Sequence, residues 1–322
     1  MTKVLTVINI ILAAILAYIL VYPQIQANKI IEAQALYVKD LSALPLFVAE
    51  DMGFFDSTRV RCQLEEVEKP GSDVDEVMKT ASQMSFGLDW GTFLFKAAVR
   101  PEAYRVVMST SSTISEPYTA LFVRKRSRIR KFKHFAGKKI GYPRDTRALE
   151  FLKMLLKKDG VDVEKCNFIA IADFEMDSAL VKKLVDVLLA FEPYRSLLMN
   201  DPNVRLFADA YFERNLFTPF PIGLAYTTIT NISVHKKAVQ RLVKATDMAV
   251  EWIRKNPDKA IEIARKRFEL PDSLIFNLPT YQKHEELDFV QFNRFVTKAK
   301  EAEIILFEID ANKFLLRPEE IK

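Results

Sequence analysis

From Ala33 onward, short apolar runs alternate with amphipathic helical segments, a rhythm that few architectures accommodate. "ALYVKD" reads as a strand, and "LPLFVAEDMGFF" as a helix opening near Pro45 and closing at Gly53, where glycine supplies a left-handed stop. "RVRCQLEEVE" is a second strand with Val60, Cys62 and Leu64 on one face, followed by "DVDEVMKTAS" as a helix. "MSFGLDW" is a third, leading into the helix "GTFLFKAAVR", which begins at Gly91 and Thr92 and ends before Pro101; "YRVVMSTSS" is a fourth. Parallel strands need a crossover helix between them, so this alternation argues for a mainly parallel sheet covered by helices.

The pattern breaks at Ser115 to Pro117 and then starts again. "YTALFVRKR" runs extended into a basic loop. "KKIGYPRDT" is a strand and turn, "RALEFLKMLLKKDG" a helix ended by Gly160, "CNFIAIA" a strand, "MDSALVKKL" a helix, and "VDVLLAFEPY" and "NVRLFAD" two further strands. "FTPFPIGLAYTT" reads as a return crossing. The remainder is helical: "SVHKKAVQRLVKATDMAVEWIRKN" puts Val239, Leu242, Val243, Thr246, Ala249, Val250 and Ile253 on one stripe, with Ser233 as cap and Asn256-Pro257 as its end. If that tail packs back on the first half, the chain crosses between lobes near residues 115–118 and 219–227, and two crossings make a hinge. The expected division is 1–27 signal peptide or transmembrane anchor, 33–116 first lobe, 117–222 second lobe, and 223–322 a helical return to the first.

A length of 322 residues suits two domains of about 150 each. The 47 basic residues are answered by 42 acidic ones, so the net charge of +5 gives no reason to expect nucleic acid. Val4 to Val21 carries no charge and as a helix spans roughly 27 Å, close to the hydrocarbon thickness of a bilayer. It reads as a retained anchor or as a cleaved signal, "IQA" at Ile25 to Ala27 being the cleavage match, and the two readings stand side by side. Lys3 places the residues after Tyr22 outside the cytoplasm, and the lack of cysteine near the end of the run excludes a lipoprotein anchor. Cys62 and Cys166 are too few for a disulfide framework, His134, His235 and His284 lack metal-ligand spacing, and neither a G-x-S-x-G, a P-loop nor a G-x-G-x-x-G occurs. The sequence thus points away from an enzyme and calls for no cofactor. The basic run "RKRSRIRKFK" reads as a solvated loop, with an anionic partner or lipid surface as the sharper alternative.

One segment raises a functional question. "DVLLAFEPY" is an apolar strand stopped by Pro193 just after it delivers Glu192. Together with "LPLFVAEDMGFF", "IRKFKHFAGKKIGYPRDT" and "AVEWIRKNPDKAIEIARKRF", taken in this order, it resembles the nitrate/sulfonate/taurine and pyrimidine-precursor (NMT1/SsuA-like) family of periplasmic substrate-binding proteins, over Ala33 to about Phe268. The resemblance implies a bilobal α/β fold of the type II periplasmic-binding kind, closing on a small polar or anionic organic solute for an ABC permease. In open α/β sheets, ligands sit beyond the carboxyl ends of the strands. The ligand candidates by position are therefore Asp40 and Ser42, then Asp89, Trp90 and Thr92, then Ser111 and Thr113 in the first lobe. The second lobe offers Arg144, Asp145, Thr146 and Glu192, and Tyr226 is assigned to the hinge. Each has a plain alternative: Trp90 as a packed aromatic, Asp145 or Thr146 as a helix cap, Glu192 as a hinge salt bridge, "SSTIS" as a polar hinge. Where the family offers glycine and small hydroxyls at the second-lobe turn, "PRDT" puts Arg144 and Asp145, a departure that speaks against oxyanion binding. It opens a second reading, a membrane-anchored accessory or scaffold subunit that keeps the fold with lost or altered ligand binding.

Overall fold

Six strands make the first sheet of the computed structural model, which describes residues 11, 12, 14–20, 29–67, 83–144 and 146–321. They are β1 (Ile31–Tyr37), β2 (Val60–Glu66), β3 (Met84–Asp89), β4 (Tyr104–Ser112), β10 (Phe220–Thr228) and β11 (Thr280–Lys283), in the order β11-β4-β10-β3-β1-β2. The second sheet holds β5 (Thr119–Arg124), β6 (Lys139–Pro143), β7 (Asn167–Ile171), β8 (Val187–Phe191) and β9 (Val204–Asp209), ordered β7-β6-β8-β5-β9. Each sheet is mixed: β1 pairs parallel with β2 and β3, and β6 with β7 and β8, while β10 and β5 run against both their neighbours. The helices are α1 (Leu44–Asp51), α2 (Phe54–Ser57), α3 (Trp90–Ala97), α4 (Ala148–Lys158), α5 (Tyr194–Asn200), α6 (Tyr211–Asn215), α7 (Ile229–Val234), α8 (Lys236–Lys255), α9 (Pro257–Arg267) and α10 (Phe289–Glu301). This is the expected bilobal α/β architecture, but the sheets are mixed where the alternation argued for mainly parallel ones: among the described residues four strand pairings are parallel and five antiparallel.

Local chemistry explains most boundaries. Pro45 sits in the first turn of α1, where its missing N–H costs nothing, and Gly53 follows its end with φ +68°. Asp89 caps α3 by accepting the Thr92 N–H, so the helix starts at Trp90, one residue before the expected Gly91. The stripe read in α8 is buried at every position named. Three expectations fail. Met176–Leu184 forms successive turns instead of a helix, with Lys183 at positive φ. Ser233 does not cap α8: a separate short helix, α7, precedes it, capped by the Thr228 hydroxyl, and Ser233 Oγ bonds Thr230 O. The stretch read as the return crossing is β10 itself, in the middle of the first sheet, so the chain crosses back ahead of it, in residues 210–219. The proline- and glycine-punctuated run is still a strand because β3 and β4 flank it on both sides.

The expected helix "DVDEVMKTAS" and residue Asp145 lie outside the described residues, as does much of Val4 to Val21. Residues 11, 12 and 14–20 are helical with exposed apolar side chains, and among the described residues no helix is long and apolar enough to cross a membrane.

One apolar core lies under α1 and α8, a smaller one between β8 and the Met176–Leu180 turns, and a third runs across both lobes. Its backbone is aromatic. Trp90 stacks on Phe292 at 4.4 Å, and α10 carries the cluster onward through Phe295, whose ring lies 5.5 Å from both Phe220 of β10 and Phe151 of α4.

Candidate functional site

The carboxyl ends of β1 and β3 point at the second lobe, and each delivers an aspartate there. Asp40 follows β1; its Oδ1 accepts Ser42 N at 2.8 Å and also Ser42 Oγ, while its Oδ2 accepts Tyr118 Oη at 3.0 Å. Tyr118 belongs to the first crossing segment, so this bond joins the first lobe to the hinge. Asp89 ends β3, and its Oδ1 accepts Thr92 N at 3.0 Å and, at a long 3.5 Å, Arg147 N from the second lobe. The Arg147 guanidinium lies 3.8 Å over the Phe95 ring, again across the gap. Contact here is tight: a Cβ on Gly91 would stand 2.7 Å from Arg147 Cβ.

Both aspartates are half-buried yet set deep among protein atoms, and neither forms an ion pair with any described residue. Burial therefore raises the proton affinity of Asp40 against the bonds from Ser42 and Tyr118. Asp89 is raised for the same reason, against the bonds from Thr92, and the Asp40 charge adds to it. The phenols around them respond in kind. Tyr118 and Tyr281 are both pushed up by burial and then by Asp40, and Tyr281 Oη donates to Leu41 O at 2.7 Å. Tyr194, at the start of α5, is raised by burial and by Asp173, Asp177 and Asp40. These strand ends are thus rich in acceptors.

The remaining expected site residues divide. Ser42 joins the Asp40 cluster, and Thr92 is buried in the first turn of α3. Thr146 Oγ1 donates to Pro143 O and accepts Ala148 N at 3.3 Å, so it braces the turn before α4, whose N-cap position is held by Arg147 with no side-chain cap. Arg144 is exposed beside it. Trp90 is 1% exposed, its indole bonded to Ser109 Oγ and its faces taken by Phe292 and Phe93, so it is core and offers no platform to a ligand. Tyr226 does not reach the hinge: it lies mid-strand in β10, ringed by Phe93 and Tyr104. Ser111 is buried between β10 and β11, and Thr113 turns the first crossing by binding Ser115 Oγ and Glu116 N.

Glu192 does stand where the strand stops, but it faces back into its own lobe. Oε1 accepts Arg195 Nη1 and Ser196 Oγ, both at 2.9 Å, and Oε2 accepts Ser196 N at 3.1 Å. Arg195 is held in turn by Asp209. Burial raises the Glu192 carboxyl while Arg195 lowers it. Three of its roughly four acceptor sites are thus taken within its own lobe, where the acid holds the first turn of α5.

Sequence reading overlooked Glu213 of α6. Its buried carboxylate accepts Ser112 Oγ at 2.7 Å, Tyr118 N at 2.8 Å, Thr119 N at 3.2 Å and Thr119 Oγ1 at 2.6 Å. One side chain on the second crossing thereby ties down both ends of the first. Among the described residues no group of three or more His, Cys, Asp or Glu side chains is placed to hold a metal ion. Burial pushes the Cys62 thiol up to about 12 and raises Cys166, so neither is an activated nucleophile.

Two mixed sheets flanked by helices, with the strand ends of one facing the other lobe, define the class of the periplasmic-binding fold. Residues 41–260 match the NMT1/THI5-like family model, and the chain belongs to that family. Solved structures share the fold at low identity. The periplasmic aliphatic sulphonate binding protein SsuA from Escherichia coli is 12% identical with a TM-score of 0.67, over 89% of this chain and 92% of that one. The alkanesulfonate-binding protein SsuA from Xanthomonas axonopodis pv. citri, bound to MOPS, gives 14% and 0.68, over 89% and 98%. The desulfurization enzyme DSZB gives 15% and 0.65, over 89% and 97%, so the fold serves catalysts as well as binding proteins. No curated protein matches the chain in sequence.

Proposed function

We propose that the protein captures a small polar organic solute between its lobes, outside the cytoplasm, and presents it to an ABC-type importer. Family membership supports the class, and the paired strand-end aspartates carry the reading of the site. Two raised, unpaired carboxylates with Tyr118 and Tyr194 around them suit a guest that donates hydrogen bonds, an amine or amide. A sulfonate would bring a third negative charge against Asp40 and Asp89. The anionic half of the expectation is therefore set aside for the donor half.

The test is thermal: at a hundredfold excess over its dissociation constant, a true guest adds about 2.7 kcal/mol to stability. Amines, amides and amino-pyrimidines should raise the melting temperature, and alkanesulfonates should not. A panel in which only sulfonates shift it would overturn the assignment of donor chemistry.

The shared aromatic core favours a second reading, an accessory subunit of a membrane complex that keeps the lobes shut. Phe151, Phe220 and Phe295 clamp α4 to α10 without any guest. In that case no solute in the panel shifts the melting temperature, and the protein is recovered from membranes with a partner complex.

A further inference from the structure

The end of the second lobe farthest from the first carries a feature that solute capture does not use. Register fixes its place. Thr119 of β5 meets Phe191 of β8 at the gap end, Val123 meets Val187 at the other, and β6 enters beside Val187. There the run "RKRSRIRKFK" folds over a concave pocket of about 1100 Å3.

A single acid lines the pocket, and it is already engaged. Asp186 accepts Arg124 Nη2 at 2.7 Å and Lys139 N at 3.1 Å, and Arg124 also donates to Val185 O. Lys125, Arg126, Arg128, Lys138 and Lys183 line the same pocket, and none makes an ion pair with a described residue. Some surface cations elsewhere find acids, as Arg61 does Glu32 and Arg254 does Glu286. Beside the wall, Arg205 Nη2 donates to Ile129 O at 2.7 Å, and burial, with the Arg130 charge second, pushes its guanidinium below its ordinary value. Lys138 acts on Asp186 through its charge, which leaves Lys125, Arg126, Arg128 and Lys183 as four further cations in one hollow with a single acid.

We propose that this pocket binds a polyvalent oxyanion of the phosphate type, at a site separate from the interlobe gap. Its volume matches the upper range of small-molecule pockets, roughly 300–1000 Å3, so a lone phosphate would leave most of it empty. Arginine forks take oxyanions two atoms at a time, and lysines add point charge. Ile129, Val181 and Pro202 give it an apolar floor on which a non-polar part of the guest can rest. The chemistry fits a free polyanion or a lipid headgroup.

The experiment titrates the full-length chain in detergent with inorganic tripolyphosphate by calorimetry, beside an R128E/K183E variant and a K236E/K259E control whose changes lie outside the pocket. Both variants alter exposed side chains, and circular dichroism checks their folding. Saturable one-to-one binding that R128E/K183E weakens at least about tenfold, about 1.4 kcal/mol, and the control leaves within about twofold, supports the site. Weak, unsaturable binding, or equal loss in both variants, overturns it in favour of general surface charge. The lipid arm compares wild type and R128E/K183E on phosphatidylglycerol vesicles. Loss confined to the pocket variant there supports the same oxyanion site with a headgroup as its source. Duplex DNA binding tighter than tripolyphosphate overturns the small-anion assignment.

Discussion

Replacing Glu213 by alanine removes the acceptor that four donors share, and the cost can be worked from the bonds. Two donors are hydroxyls, Ser112 Oγ and Thr119 Oγ1, which can turn to other acceptors. The other two are the backbone N–H groups of Tyr118 and Thr119, which cannot turn and are buried. Each buried N–H left without a partner costs about 1–3 kcal/mol, and the loss is offset in part because a carboxylate no longer has to be desolvated. The expected net loss is about 3–5 kcal/mol, which at roughly 2–3 °C per kcal/mol lowers the melting temperature by roughly 6–15 °C. Glu213→Gln keeps Oε1 for three donors, and its amide can donate to Thr119 Oγ1, so it should cost only about 1 kcal/mol. Urea unfolding followed by circular dichroism on both variants reads the difference. If alanine and glutamine cost the same, or alanine costs under about 1 kcal/mol, the carboxylate is not what joins the crossings.

Three further outcomes follow from the site. Glu192→Ala should lose about 2–4 kcal/mol in urea, less than a fully broken buried pair because Arg195 keeps Asp209, while solute affinity stays within about twofold; a large affinity loss on an intact fold would return Glu192 to the gap. For Asp40 and Asp89, burial raises the folded carboxyls above their unfolded values, so folding takes up protons. Their contribution is fullest below about pH 4 and is lost as pH climbs through the raised folded values. A D40N/D89N variant should thus be more stable than wild type at pH 7 and lose that advantage toward pH 4, and urea midpoints that differ equally at both would contradict it. Gly91→Ala should push Arg147 away, cost about 1–3 kcal/mol and enlarge the radius of gyration in solution scattering; an unchanged profile would mean the lobes are not in contact there.

What the sequence made legible were features set by neighbours along the chain. Periodicity gave the buried stripe of α8, Pro45 and Gly53 bracketed α1, and the strand stopped by Pro193 was placed correctly. Partners distant in sequence were not legible. Nothing about "YFERN" announces that Glu213 meets Ser112 and Thr119, about a hundred residues earlier, and Trp90 was core because of Phe292, which only the folded tail brings near. Glu192 is a different case. Arg195 stands three residues on, a spacing that pairs side chains across one helical turn, and it was there to be read in "EPYRS". Met176–Leu184 failed as a helix because so short a segment draws little from helical propensity, and packing against β8 decided its shape.

The ring cluster shared by Phe151, Phe220 and Phe295 has a thermal consequence. Any rotation that separates α4 from α10 wets aromatic surface and so carries a positive heat-capacity change. Apolar association weakens on cooling, which makes the degree of gaping a function of temperature, wider in the cold and narrower near the growth range.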